Sequence, residues 1–418
     1  MRNLFQWLVL LAWIGHGCAA AESNLLTYRQ AAQLTLRQHP EMRAFALQQR
    51  ATEQRALQAA LRPALELGMD VDGFVGTGDF QGLDATEFSI SLSSVFERGN
   101  KRDARGALAQ AQRDALTTDQ RIATLDILAE TARRFVAVAI AAERATMAIR
   151  RVAELQDLLA KIRPRVAAAA TSRTELLDAE ISLSQAQGAA HSAARLLQAS
   201  QMALGAQWND ENARPHAVLA LKDLPVAATY ESMAAKLELL PDLARFASEA
   251  RLHEAQLRLR RAEAVTDLRW SVGLRRFSSS DDEALIAGIS MPLGSARRAV
   301  TAVRIAELES EQVSPRQQGR GLALRPLLFS QVQLLTNTQA RVSAIASVEL
   351  PKAREMLALI ERGYQIGRFP YRELALARNR IFELEAAGLD GAEQYHLTSI
   401  EVERLTGAHV DMLREYLR

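Results

Sequence analysis

Leu65-Glu66-Leu67-Gly68-Met69-Asp70-Val71-Asp72 alternates apolar and polar side chains without a break. A strand turns successive side chains to opposite faces, so this run has one oily face and one wet face. Phe88, Ile90 and Leu92 interleave with Glu87, Ser89, Ser91 and Ser93 in the same way. Leu268, Trp270, Val272 and Leu274 do so with Asp267, Arg269, Ser271, Gly273 and Arg275, and a fourth run, Ala284 to Met291, alternates less sharply before Pro292. Strands are expected at 64–75, 86–96, 266–277 and 284–292. Alternation alone fits a half-buried sheet on a soluble core. Three features favour a membrane sheet. Each run has about 10 residues, the length of a tilted crossing. The polar faces carry charge, as a wet lumen does. The links Gly76 to Gly82 and Ser278 to Asp282 are polar loops. On this reading Leu65, Leu67, Met69, Phe88, Ile90, Leu92, Leu268, Trp270 and Val272 face lipid. Four strands cannot close a barrel, since the smallest need about eight, and an open edge in lipid leaves amides unpaired. A membrane sheet therefore requires several copies of the chain.

Beyond the second strand, no proline and only one glycine, Gly106, interrupts Arg102 to Lys161. Sixty helical residues would span roughly 90 Å, too long for a compact domain of this size. Ile122, Leu125, Leu128, Ala132, Phe135, Val136 and Ala139 recur at three- and four-residue steps, a stripe that by itself reads as a coiled coil. A return helix runs from about Thr174 to Gly205. The same layout follows between Ala299 and Gly407, except that Ser314 to Gly321 and Pro326 place two prolines and two glycines where the first stretch is continuous. These are expected to kink or unravel the helix.

The layout recurs because the chain is duplicated. His39-Pro40-Glu41-Met42-Arg43-Ala44-Phe45 returns as Leu240-Pro241-Asp242-Leu243-Ala244-Arg245-Phe246, with Pro40 and Pro241 offset by 201 residues. Glu175 and Glu373 anchor a second match offset by 198, and Gly205 and Gly407 a third offset by 202. The expected organisation is a signal peptide at 1–21, a first repeat at 22–215 with a long helical hairpin at 100–206, and a second at 216–418 with its hairpin at 297–407 and a C-terminal tail.

The chain has 418 residues, with 51 basic against 49 acidic side chains and only 5% aromatics. That balance argues against a nucleic-acid binder, which would carry a basic face. Met1-Arg2-Asn3, the apolar run Leu4 to Ile14 and Ala19-Ala20-Ala21 form an export signal with a small-residue cleavage site. Cys18, the only cysteine, reads either as a degenerate lipoprotein site or as a residue discarded with the signal. No apolar run of about 18 residues follows, which excludes a helical span and leaves a strand-built one open.

Three stretches resemble the TolC family of outer-membrane efflux ducts, and within it the CzcC-type components of cobalt–zinc–cadmium resistance systems. They are Glu97-Arg98-Gly99-Asn100-Lys101-Arg102-Asp103-Ala104-Arg105, Gly288-Ile289-Ser290-Met291-Pro292-Leu293, and Gly363-Tyr364-Gln365-Ile366-Gly367-Arg368-Phe369-Pro370-Tyr371-Arg372-Glu373-Leu374. The resemblance covers about Leu25 to Gly407. It implies a mainly α fold with a small β part, in which a duplicated unit of long antiparallel helical hairpins and four strands contributes to a trimeric 12-stranded outer-membrane β-barrel and a periplasmic α-helical tunnel. It further implies a homotrimer in the cell outer membrane with a large periplasmic extension. The partners it implies are outer-membrane lipid, a periplasmic adaptor (membrane fusion) protein and an inner-membrane, proton-driven resistance-nodulation-division pump.

No catalytic constellation is present, and the seven histidines are scattered, with no pair at ligand spacing. Neither a cofactor nor a bound metal is expected, and an enzyme is disfavoured. The hairpin turns, Ala168-Ala169-Ala170-Thr171 and Ile366-Gly367-Arg368-Phe369, read as ordinary turns or, by the resemblance, as the adaptor-contacting tips. Ala169 stands where a tight turn favours glycine, as Gly367 does in the second tip. Glu175, Asp178 and Glu373 read equally as solvated helix-surface charge and, by the resemblance, as a periplasmic gate whose negative field attracts cations. The function implied is a passive conduit of a tripartite efflux system for divalent heavy-metal cations. The alternatives are a drug or small-molecule duct and, from another class, a secreted coiled-coil scaffold or adaptor.

Overall fold

The computed structural model describes residues 25–78, 83–226, 228–237 and 240–407. The signal peptide with Cys18, the centre of the first polar link and the C-terminal tail lie outside the described residues. In chain order the elements are β1 (Leu25–Leu26), α1 (Tyr28–Gln38), α2 (Pro40–Ala59), β2 (Glu66–Asp72), β3 (Glu87–Phe96), α3 (Lys101–Ala167), α4 (Arg173–Gly205) and β4 (His216–Ala217). There follow α5 (Tyr230–Leu237), α6 (Pro241–Glu263), β5 (Leu268–Phe277), β6 (Glu283–Ser290), α7 (Ser295–Glu311), α8 (Val313–Ala344), α9 (Leu350–Gln365) and α10 (Tyr371–Thr406). The chain divides into two compact units, one of residues 41–126, 228–332 and 402–418, the other of 1–40, 127–227 and 333–401.

The first unit holds an antiparallel sheet of order β2-β3-β5-β6. The expected strand at 64–75 is shorter than predicted: Leu65 precedes it, and Gly73 turns the chain out at φ 68°. The third strand likewise starts at Leu268 rather than 266, and the fourth ends at Ser290 rather than 292. The β3–α3 junction is a clasp. Gly99 and Asn100 both take left-handed backbone (φ 75° and 55°). Arg105 grips Glu97 with its guanidinium, one bond at 2.9 Å. Lys101 Nζ lies 2.6 Å from Asp267, which also accepts from the Arg98 amide. The first family-like stretch is therefore the bracket that joins strand to helix and ties both to the start of β5.

In the same unit Leu237, Leu240, Leu324, Leu328, Val332, Val402 and Leu405 form a core. Beside it Arg404 forks onto Asp242 (2.7 and 3.4 Å) and also bonds Asp126. Burial opposes its charge, but the bonds to the two carboxylates outweigh that and hold its pKa above the ordinary value. The expected break at 314–326 does not unravel the helix. The only non-helical residue is Gln312, and Pro315 occupies the first turn of α8, where its missing N–H costs nothing. Pro326 lies inside α8, with Leu324 and Leu328 on either side fully packed in the core.

In the second unit, residues from Ile127 to Ile140 of α3 are buried on nearly every side, including Leu128, Phe135, Val138 and Ile140. The apolar stripe of the sequence thus belongs to a helix buried on most of its circumference, with Glu130, Arg133, Arg134 and Ala137 as its half-exposed side. A strap at 217–226 lies against α10 and α8: Tyr395 donates to the Pro225 carbonyl at 2.6 Å and Gln339 to that of Leu224 at 3.4 Å. A five-residue π-helical turn, Ile345–Glu349, precedes Pro351; the sequence reading did not anticipate it, and Pro351 was its one signal.

Side chains of Arg404 and Asp242 are only 12% and 14% exposed, and removing one partner strands the other. Arg404→Ala is expected to cost about 3 kcal/mol, with Arg404→Met losing less than that because its stem still packs, read as thermal unfolding by far-ultraviolet circular dichroism.

Candidate functional site

The sheet places most apolar side chains on one face and most charged ones on the other, with Ser94, Arg276 and Glu283 among the apolar rows and Val95 and Ile286 among the polar ones. Register pairs Leu67 with Leu92 and Met69 with Ile90 between β2 and β3, Ile90 with Leu274 and Leu92 with Val272 between β3 and β5, and Trp270 with Ile289 between β5 and β6. All share one face. Leu67 is 77% exposed, Met69 71% and Ile90 51%, while Leu268 and Trp270 are half-buried. Leu65, outside the strand, is exposed as well. The apolar rows from Phe88 to Phe96 cover about 27 Å of strand, enough for the apolar band of a membrane barrel.

The opposite face carries Glu66, Asp70, Asp72, Glu87, Arg269 and Arg275. Arg269 pairs with Glu66 at 2.9 Å, and Arg275 with Glu87 at 2.9 Å and the Ser89 hydroxyl at 2.9 Å. Gly68, Gly273 and Gly288 sit on this face too. A Cβ on Gly273 would meet the Ile90 carbonyl oxygen at 2.4 Å, and one on Gly288 the Ser271 hydroxyl at 2.8 Å. Glycine here admits a close approach of the neighbouring strand that a side chain would block. Both edges, β2 and β6, lack a neighbouring strand among the described residues.

In the other unit the two hairpin turns end in one packed cluster. Leu155, Leu158, Leu159 and Ile162 of α3 meet Ala179 of α4, Tyr364 of α9, and Tyr371 and Leu374 of α10. The turns have the same hydrogen-bond pattern. The Ala170 amide donates to Arg165 O (2.8 Å) and that of Ala169 to Val166 O (3.0 Å), and the Arg368 amide to Gly363 O (2.8 Å) and that of Gly367 to Tyr364 O (3.2 Å). Each is a helix end closed through a left-handed residue, Ala169 at φ 52° and Gly367 at φ 75°. The alanine adopts the glycine geometry and bears the steric penalty. Gly363 has a separate reason to lack a side chain: a Cβ there would lie 2.2 Å from the Phe369 ring, which folds back over the helix end.

The predicted gate acids are placed differently from one another. Glu175 is half-buried and accepts from the Thr171 hydroxyl, whereas Asp178 and Glu373 are exposed. Among the described residues no hydrogen bond or ion pair joins Glu373 to the other two. What packs between the tips is aromatic. The Tyr371 phenol is pushed up to about 12, first by burial and then by the nearby Asp178 charge. Burial also raises Tyr364, whose hydroxyl lacks a partner, although the Arg165 guanidinium 4.6 Å over its ring opposes this. Sequence reasoning missed these tyrosines as the tip core; the three-residue step from Tyr371 to Leu374 at the start of α10 was the available signal. Among the described residues no helix is long and apolar enough to cross a membrane, and no three His, Cys, Asp or Glu side chains gather as a metal site.

No protein-family model matches the chain. It is 23% identical over 326 residues to the cobalt-zinc-cadmium resistance protein CzcC of Cupriavidus metallidurans, a match covering 76% of this chain and 77% of that one. Its fold is similar to CusC, whose crystal structures are described with transmembrane channel formation (TM-score 0.75, 16% identity, 91% of each chain). It is similar as well to the CmeC outer membrane channel of Campylobacter jejuni (TM-score 0.75, 12% identity, 91% of this chain and 85% of that one). The sequence resemblance and the fold thus agree on one architecture, that of the outer-membrane channels.

Ala169→Gly is expected to stabilise its turn, and Gly367→Ala to destabilise the other, each by about 1 kcal/mol, measured as midpoint shifts in denaturant. Because folding raises the Tyr371 pKa, its contribution is complete below pH about 10 and disappears as pH rises towards 12. A Tyr371→Phe variant should lack that alkaline step, followed by ultraviolet phenolate titration alongside unfolding.

Proposed function

We propose that this chain, folded as the outer-membrane channels are, is the outer-membrane conduit of a tripartite efflux system and passes divalent heavy-metal cations. The observation that carries this reading is the sheet. One face is largely apolar and exposed, the other is largely polar and charged, and both edges lack a neighbour among the described residues. In water the exposed face would be an aggregation liability. In lipid the same face is solvated, provided the edges of several copies pair and close the ring. A homotrimer closing twelve strands meets that condition.

Three things support cations as cargo. The polar face bears four carboxylates, Glu66, Asp70, Asp72 and Glu87, against the two guanidiniums of Arg269 and Arg275. A closed ring of several copies would focus that excess into a negative lumen. The similarity to CzcC, named for cobalt, zinc and cadmium resistance, points to the same ions. On this reading the protein does no chemistry of its own. The hairpin tips meet a periplasmic adaptor, Glu175, Asp178 and Glu373 lie at the periplasmic mouth, and a proton-driven inner-membrane pump supplies the energy.

Reconstituted in planar bilayers, the mature chain should give stepwise conductance with cation preference in reversal-potential measurements. Asp70→Asn combined with Asp72→Asn should reduce that preference without abolishing current. Absence of conductance would remove the channel reading in favour of a scaffold. In cells, deletion should sensitise growth to cobalt, zinc or cadmium; sensitivity to dyes and drugs instead would reassign the cargo.

A further inference from the structure

The two hairpin ends hold more positive charge than the whole molecule. Residues 161–180 and 361–380 contain nine Lys and Arg against five Asp and Glu, a net of +4, whereas the full chain nets +2. Everything outside these two segments is therefore net negative.

Pairing in these segments engages acids and bases alike, since Lys161 meets Asp157 and Arg380 meets Glu383 as well. Glu175 is held by Thr171, Glu180 lies 3.6 Å from Arg163, and Glu361 is 2.8 Å from Arg378. Only Asp178 and Glu373 stand exposed without such a partner among the described residues. Against them Arg173, Arg368 and Arg372 are exposed, and none of the three makes an ion pair among the described residues. Among the described residues the Arg362 side chain bonds only the Ala358 carbonyl of its own helix.

These cations sit on a stiff platform. Both turns are closed by paired amide bonds, Phe369 is seated on Gly363, and the aromatic core of Tyr364 and Tyr371 joins the two ends. A rigid array loses little freedom on binding, and guanidinium forks suit carboxylates in particular.

We infer that the tips dock onto an acidic protein surface, with Arg368 and Arg372 on the second tip and Arg173 beside the first meeting Asp and Glu side chains of the partner. The inference rests on the proposal that the tips are the contact ends of the conduit, and adds the chemistry of what they contact. On that proposal the acids of the periplasmic mouth share the tips with arginines, whose charge partner carboxylates would neutralise on docking.

The test places a photo-crosslinking amino acid at Ile366, which is 78% exposed, or at Ala170, in the full-length protein within the cells that produce it. Mass spectrometry of the crosslinked peptide should show Asp or Glu flanking the adduct. Arg368→Glu with Arg372→Glu should reduce the adduct by about fivefold or more, while the matching Lys pair keeps most of it. Oligomer assembly on gels is checked in every variant, and these exposed positions should leave it unchanged. An adduct undiminished by charge reversal, or a crosslinked peptide without acids, overturns the inference and leaves tip docking standing. No protein adduct from either position, or adducts to lipid alone, removes tip docking itself, and the inference with it.

Discussion

The structure depends on one constraint: an antiparallel sheet whose register collects most of its apolar side chains on one face leaves that face exposed in the single chain, so lipid or further copies must cover it. β2, β3, β5 and β6 keep strict register from Glu66–Ser93 through Arg276–Glu283. A slip of one residue in any strand would send Leu, Ile and Trp into the charged side. Gly68, Gly273 and Gly288 admit the close approach of neighbouring strands on that charged side. The clasp of Glu97, Arg105, Lys101 and Asp267 then fixes where strand becomes helix, so that the sheet and the long helices are set by a few hydrogen-bonded charges.

In the unit that holds the hairpin turns, the chain reaches similar geometry from dissimilar residues. Ala169 and Gly367 close their turns with the same hydrogen bonds, one against a steric penalty and one without it. Phe369 requires the bare backbone of Gly363, which explains why glycine, tyrosine and phenylalanine occur together in that stretch. Burial opposes ionisation of both tyrosines, and Asp178 adds to it at Tyr371, so the tip core stays neutral while its rim carries the charge.

The charge pattern divides the labour along the chain. Carboxylates exceed guanidiniums on the polar face of the sheet, and the tips are net positive. A cation duct with a cationic end requires a partner that compensates the end, which is the physical link between the proposed cargo and the proposed docking chemistry.

Much of this was legible in the chain itself. Strand alternation, the proline-free stretch after Arg102 and the recurrence of Pro40 at Pro241 are local or periodic signals, and local signals survive without a fold. Tertiary structure decided the rest. It set the pairing of β3 with β5 across about 170 residues of chain, since strand partners are chosen by packing and not by sequence distance. It kept α8 helical across Pro315 and Pro326, because a proline in a first turn forfeits no bond and a packed core on either side of another outweighs the one it loses. It also let Ala169 take a backbone that its own side chain disfavours, a choice made by the two helices it joins. Sequence determined which face of each strand is oily; only the fold determined that those faces would lie together, exposed, with two edges left to pair.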